Sequence, residues 1–319
     1  GVCTHNTQPN LKDLPQITHE GRQDLIIPSR LLPGATIGVV APSGPFPAAR
    51  LRPGLEYLRS RGYLIKEGMA LYSRERFLAG NDKARAADLM NMFLDPEVDA
   101  IFVARGGYGS ARLLDLLDYE AIRMNAKPLV GFSDTTALQL GIFSRTRLVT
   151  YSGLTLCGDV TETGFEEFTE QALWEALSNE TLSPIEELQA IRGGDFSGVL
   201  LGGCLSLVSS LLGTSYMPDL AGAVLVLEDV NEPLYRIDRL FNHLHMAGVL
   251  DRVAGVLLGD FEGCDPESED EGSLLDVFES LADSTSCPIR YGLPYGHGLV
   301  RRVLPIGCTV RIDADRLIF

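Results

Sequence analysis

Ser133 follows the apolar run Leu129-Val130-Gly131-Phe132 and precedes Asp134-Thr135-Thr136-Ala137-Leu138, which reads as the start of a helix. A strand-to-helix turn of this kind lifts one side chain above a sheet and aims the N–H groups of the following helix at the same space. Two readings stand for Ser133: a helix N-cap, a position serine favours, or a nucleophile. A serine hydroxyl attacks near neutral pH only with help from a general base, and histidine titrates in that range. The chain has five histidines. His5 and His19 lie in a polar arm, and His243 and His245 are spaced so that they do not share a helix face. His297, between Gly296 and Gly298, is by elimination the preferred base. Glu228 and Asp229 end the unbroken apolar run Ala223–Leu227. Capping of a nearby helix or plain solvation would account for both acids; a nucleophilic site would use Glu228 to orient His297 and stabilise its charged form.

These residues need a scaffold that brings positions far apart in the chain together. Short apolar runs at 35–40, 64–65, 100–104, 129–132 and 148–151 read as buried strands, and helical spacing follows several of them, as in Leu51, Leu55 and Leu58 or Ala86, Leu89, Met90 and Phe93. This alternation predicts an α/β fold with a doubly wound, mostly parallel N-terminal sheet and ligands at the carboxyl ends of its strands. Those ends carry Pro42-Ser43, Arg105-Gly106-Gly107 and Ser133. The turn Gly107-x-Gly109 lacks the third glycine of a dinucleotide fingerprint, because Arg112 stands there. It remains either a simple backbone bend or a turn whose N–H groups hold an anion or oxyanion.

The chain is divided into a polar arm over 1–30, a nucleophile domain over 31–158, a connection over 159–195 and a second, smaller α/β domain over 196–319. The last of these carries Glu228 and His297 and finishes in antiparallel strands. The lone tryptophan, Trp174, sits on an amphipathic stretch of the connection and reads as core.

At 319 residues with 45% hydrophobic composition, the chain is long enough for two cores. Its 43 acidic and 27 basic residues, net -16, argue against sequence-independent nucleic-acid binding, which needs a basic face. Cys3, Cys157, Cys204, Cys264, Cys287 and Cys308 form no C-x-x-C pair and read as reduced thiols, so no metal site is expected. No run of 18 or more apolar residues suggests a membrane span, and residues 1–30 lack the charged and apolar regions of a secretory signal.

Taken together, several segments resemble the LD-carboxypeptidase family of serine peptidases, which also includes the microcin C immunity peptidases. They are Ala41-Pro42-Ser43, Leu78-Ala79-Gly80-Asn81-Asp82 with Arg85-Ala86-Ala87-Asp88-Leu89, Ala104–Gly109, and Gly131-Phe132-Ser133-Asp134. In the second half they are Leu227–Val230, Tyr235–Arg239, Gly296-His297 and Leu304–Gly307. The resemblance implies a Ser133–Glu228–His297 triad, an oxyanion hole from the backbone N–H groups of Gly107 and Asp134, and Arg105 and Gly106 at the substrate, with Arg105 near its terminal carboxylate. It further implies a metal-independent, cofactor-free cytoplasmic homodimer that releases terminal D-alanine from murein tetrapeptides in cell-wall recycling, without nucleic-acid or membrane partners.

The chain departs from the family pattern at Ser152-Gly153-Leu154, at Cys204 and at Arg301-Arg302, where His-Gly-Pro, asparagine and asparagine are usual. None of these belongs to the triad, and each could reshape the substrate pocket. Two alternatives stand beside the murein reading. One keeps the chemistry and changes the substrate to a peptidyl-nucleotide antibiotic; the other is a non-catalytic protein that binds a small anion.

Overall fold

The computed structural model describes residues 24–319. Residues 1–23 of the arm, with Cys3, His5 and His19, lie outside the described residues. The chain then alternates strand and helix: β1 (Thr36–Val40), α1 (Ala48–Ser60), β2 (Leu64–Glu67), α2 (Asp82–Leu94), β3 (Ala100–Val103), a 3-10 turn at Ser110–Leu116, α3 (Tyr119–Met124), β4 (Leu129–Gly131), α4 (Thr135–Thr146) and β5 (Thr150–Ser152). Strands β2, β1, β3, β4 and β5 pair in parallel. Their side chains alternate between two cores, as a sheet covered on both faces requires. Val39, Phe102 and Val130 pack with Leu51, Leu55 and Leu58 of α1, whereas Val40, Ile101 and Leu129 pack with Leu89 and Phe93 of α2 and Leu138 of α4.

The segment over 159–195 is more than a tether. After α5 (Leu156–Asp159) it folds into the hairpin β6 (Val160–Thr161) and β7 (Gly164–Phe165), then α6 (Glu167–Ser178), then β8 (Gln189–Arg192). Trp174 is buried on α6, where it stacks on Tyr63 at 5.2 Å and donates its N–H to the Tyr57 hydroxyl. The expectation of a core tryptophan holds.

The rest of the chain forms β9 (Phe196–Cys204), α7 (Leu205–Leu211), β10 (Val224–Val230), α8 (Leu234–Met246), β11 (Gly255–Glu262), α9 (Leu274–Asp283), β12 (Ile289–Tyr291), β13 (Leu304–Ile306), β14 (Thr309–Asp313) and β15 (Arg316–Ile318). Its seven-stranded sheet runs β15-β14-β9-β10-β11-β12-β8. The four central strands are parallel, while β14, β15 and β8 pair antiparallel at the two edges. The chain is thus two α/β units. Strand β13 crosses back to pair antiparallel with β5 as the sixth strand of the first sheet, an edge place that tolerates Pro305.

The two units meet across α4. The backbone N–H of Cys204 donates to the Thr136 hydroxyl at 3.0 Å. Gly203, at φ +140, lies so close that a Cβ would stand 2.5 Å from that same oxygen. Only glycine lets β9 end against the helix that follows Ser133.

Candidate active site

Strands β3 and β4 deliver adjacent turns to one end of the first sheet, and β10 delivers an acid from the second. Ser133 sits between β4 and α4 at φ +60, a left-handed conformation that a non-glycine residue adopts at a cost. This bend turns the hydroxyl toward His297, whose Nε2 lies 3.1 Å from Ser133 Oγ. The N-cap reading of Ser133 does not hold: Asp134 occupies the cap position, in helical conformation, with no side-chain cap hydrogen bond.

The two acids near the end of β10 have separate work. Glu228 is fully buried, and its Oε2 accepts from His297 Nδ1 at 2.7 Å. A carboxylate can only accept, so this contact fixes the proton on Nδ1 and leaves Nε2 facing the serine as the accepting nitrogen. Burial pushes the Glu228 pKa up, and the hydrogen bond from His297 opposes that shift. Its other oxygen, Oε1, has no hydrogen-bond partner. Asp229 instead caps α7, accepting from the Ser206 N–H at 2.9 Å and the Ser206 hydroxyl at 2.6 Å. Capping therefore explains Asp229, at α7 rather than α8, and does not explain Glu228. His243 and His245 are exposed on α8, where His243 Nδ1 meets the Ser209 hydroxyl at 2.7 Å.

The glycine turn after β3 packs directly on the serine. A Cβ on Gly106 would stand 3.1 Å from Ser133 Cβ, and Gly107 takes φ +106 against Gly44. Asp134 ties this turn to the serine turn. Its carboxylate accepts from the Ser43 hydroxyl at 2.6 Å and the Ser110 N–H at 2.9 Å, while the Ser110 hydroxyl donates to the Asp134 carbonyl at 2.7 Å. Arg85, 1% exposed, donates to the carbonyls of Gly80, Pro42 and Gly109 and pairs with Asp82. The turn after β3, the turn after β1 and the start of α4 are thus tied together by buried hydrogen bonds.

A cleft of about 450 Å³ opens over Ser133 and His297, with Arg50, Arg105, Glu262 and Arg301 in its wall. Arg105 donates to the Pro45 carbonyl and reaches this wall. A larger cleft of about 570 Å³, between α1 and the β6–β7 hairpin, contains none of these groups. Among the described residues, no three His, Cys, Asp or Glu side chains converge as a metal site, and no helix is long and apolar enough to cross a membrane. Cys157, Cys204, Cys264, Cys287 and Cys308 are free thiols.

The sequence did not show that the Asp134 carboxylate, Ser43, Ser110 and Arg85 tie these turns together. Arg301 was visible only as a departure from a pattern. The available signal was a charged pair, Arg301-Arg302, inside the otherwise apolar stretch 299–306.

The LD-carboxypeptidase N-terminal domain matches residues 37–153, and the LD-carboxypeptidase C-terminal domain matches residues 197–312. The chain belongs to the LD-carboxypeptidase family. A putative carboxypeptidase of Streptomyces coelicolor is 39% identical over 307 residues, covering 92% of this chain and 95% of its own. The probable murein peptide carboxypeptidase of Bacillus subtilis is 37% identical over 295 residues, covering 90% and 91%. The microcin C7 self-immunity protein MccF, in complex with aspartyl sulfamoyl adenosine, superposes with a TM-score of 0.84 at 25% identity, covering 92% of this chain and 98% of its own. This LD-carboxypeptidase-family chain is accordingly a hydrolase of the serine carboxypeptidase type.

Proposed function

We propose that Ser133 is the nucleophile that cleaves an amide bond in a small substrate held in the cleft. His297 takes the Ser133 proton as the hydroxyl attacks the carbonyl and returns it to the leaving amine, and water then repeats the sequence on the acyl-enzyme. Glu228 orients His297 and balances its charge while it is protonated. The N–H groups of Gly107 and Asp134 receive the oxyanion of the tetrahedral intermediate. Arg105, beside Gly106, takes a carboxylate of the substrate. The observation that carries this reading is the unbroken sequence Glu228–His297–Ser133, with contacts of 2.7 and 3.1 Å, whose last two members line one cleft.

For the substrate we place an aminoacyl- or peptidyl-nucleotide of the microcin C type first, because the superposition with MccF extends over 92% of the chain. A murein tetrapeptide losing its terminal D-alanine is the second reading, supported by the 37% identity to the murein peptide carboxypeptidase. A cytoplasmic homodimer belongs to the same proposal, and light scattering of the purified chain tests the dimer. Incubating the protein in parallel with a peptidyl-nucleotide and an L,D-tetrapeptide, and following the freed nucleotide and D-alanine, decides between substrates. Turnover of either, lost in Ser133→Ala, supports the mechanism. Binding of both without product would favour the small-anion binding protein.

A further inference from the structure

His297 is flanked by Gly296 and Gly298, the residues that restrict a backbone least, yet its ring must meet both Glu228 and Ser133. At Gly296 a side chain that would stiffen the loop is shut out, and at Gly298 one would have to displace the Asp260 carboxylate. A Cβ on Gly296, which takes φ +144, would stand 2.8 Å from Asp260 Cβ, and one on Gly298 would stand 2.7 Å from Asp260 Oδ2. Something outside the tripeptide has to fix it.

Arg301 is placed to do so. Its Nη1 donates to the Gly296 carbonyl at 3.0 Å and to the Gly298 carbonyl at 2.8 Å, so one guanidinium nitrogen bridges the carbonyls of the two glycines that flank His297. Nη2 is ion-paired with Asp159 at the end of α5. The guanidinium carbon lies 5.3 Å from the centroid of Phe132, the residue before the serine, and the Phe132 ring is 4.7 Å from the His297 ring. The loop is also closed at its base, where the Arg302 N–H donates to the Pro294 carbonyl at 2.6 Å, and against α6, where Thr169 accepts from the Arg301 N–H at 3.1 Å. Arg301 is 5% exposed, and its Nε has no hydrogen-bond partner. Burying a guanidinium this deeply is expensive unless its geometry is used.

We propose that Arg301 is a positioning residue for the general base: by bridging the carbonyls of Gly296 and Gly298 and anchoring on Asp159 and Phe132, it holds the His297 imidazole in line with Ser133. The arrangement couples the base to the serine turn through Phe132, and to the segment between the two sheets through Asp159. This inference rests on the assignment of Ser133 and His297 as nucleophile and base.

A fluorophosphonate probe tests both without requiring the natural substrate, since it phosphonylates a serine only when a base activates the hydroxyl. The labelling rate is measured against probe concentration and pH for the wild-type chain, Arg301→Gln and Arg301→Lys, with circular dichroism as the check of folding. Displacing a reacting group by about 1 Å can cost roughly a hundredfold. The expected result is a maximal labelling rate that falls about 10- to 100-fold in Arg301→Gln with little change in the half-saturating probe concentration. Arg301→Lys keeps the charge but lacks the planar fork in which one nitrogen holds the two carbonyls while the other holds Asp159, so its rate should fall several-fold with the pH midpoint unchanged. If Arg301→Gln does not fold, Arg301→Lys alone decides. A folded Arg301→Lys that labels as fast as wild type would overturn the positioning role, even if its melting temperature were lower. Absence of labelling in the wild-type chain would instead overturn the Ser133–His297 assignment, and the inference with it.

Discussion

Fully buried in β10, Glu228 has its Oε2 2.7 Å from His297 Nδ1, while the other oxygen of the same carboxylate has no partner. An acid so placed is costly to ionise, which is why burial drives its pKa upward. A group whose folded pKa is raised gives up stability as pH rises through that pKa. Glu228→Gln removes the charge, keeps the shape and can still accept from Nδ1. Thermal melts should therefore show the variant gaining on wild type at pH 8 and converging with it in acid, while kcat falls by roughly 10²- to 10⁴-fold because nothing balances the imidazolium. A variant that loses stability at pH 8, or keeps its turnover, would contradict this division between stability and activity.

The positive φ of Ser133 lets its proposed role as nucleophile be tested apart from its place in the scaffold. Ser133→Ala should lose about a thousandfold or more in kcat while substrate binding persists. Ser133→Gly should be equally inactive but more stable than Ser133→Ala by about 1 kcal/mol, since glycine accepts φ +60 without the Cβ clash. Denaturant titration of the two variants checks the difference. Equal stability would show that the bend is unstrained.

At Gly107, φ +106 combines with Gly44 backbone atoms 3.2 to 3.3 Å from where a Cβ would go. Gly107→Ala should destabilise by about 1 kcal/mol or more. It should also lower kcat far more than it raises KM, because the N–H group it displaces is required only as charge develops on the oxyanion. A rise confined to KM would place this turn in binding alone.

Asp260, behind the His297 loop, has its pKa raised to about 6 by burial, with the Glu262 charge adding to the shift. Below its ordinary value of 3.8 it is protonated whether the chain is folded or not, so Asp260→Asn should leave stability unchanged at about pH 3. As pH rises through about 6 the wild-type chain must ionise a half-buried acid and loses stability that the variant keeps. Allowing for solvent screening of a partly exposed group, the gain at pH 8 should be roughly 1–2 kcal/mol. Melts of both proteins from about pH 3 to pH 8 test this; an equal difference at both ends would mean the effect is packing rather than ionisation.

Period and punctuation made much of the architecture legible. Leu51, Leu55 and Leu58 mark the buried face of α1, the run at 223–227 marks β10, and glycines and prolines mark the turns between. What periodicity could not show was sheet membership. Strand β13 is three residues long and joins the first sheet, and β8 lies in a polar segment yet edges the second. Such pairings are tertiary choices that leave little trace in local pattern. The juxtaposition of Ser133, Glu228 and His297 was reachable by chemical elimination, because few histidines compete. Their supports were not: Asp134 joins Ser43 across 91 positions and Arg301 joins Asp159 from another segment, and each residue alone looks like an ordinary polar or charged surface residue.

The central claim is that Ser133, activated by His297, carries the covalent chemistry. Intact-protein and peptide mass spectrometry after fluorophosphonate treatment tests it most directly. The expected result is one adduct per chain, mapped to Ser133 and abolished in His297→Gln. An adduct on another residue, or hydrolysis of substrate that persists when Ser133 is absent, would contradict it.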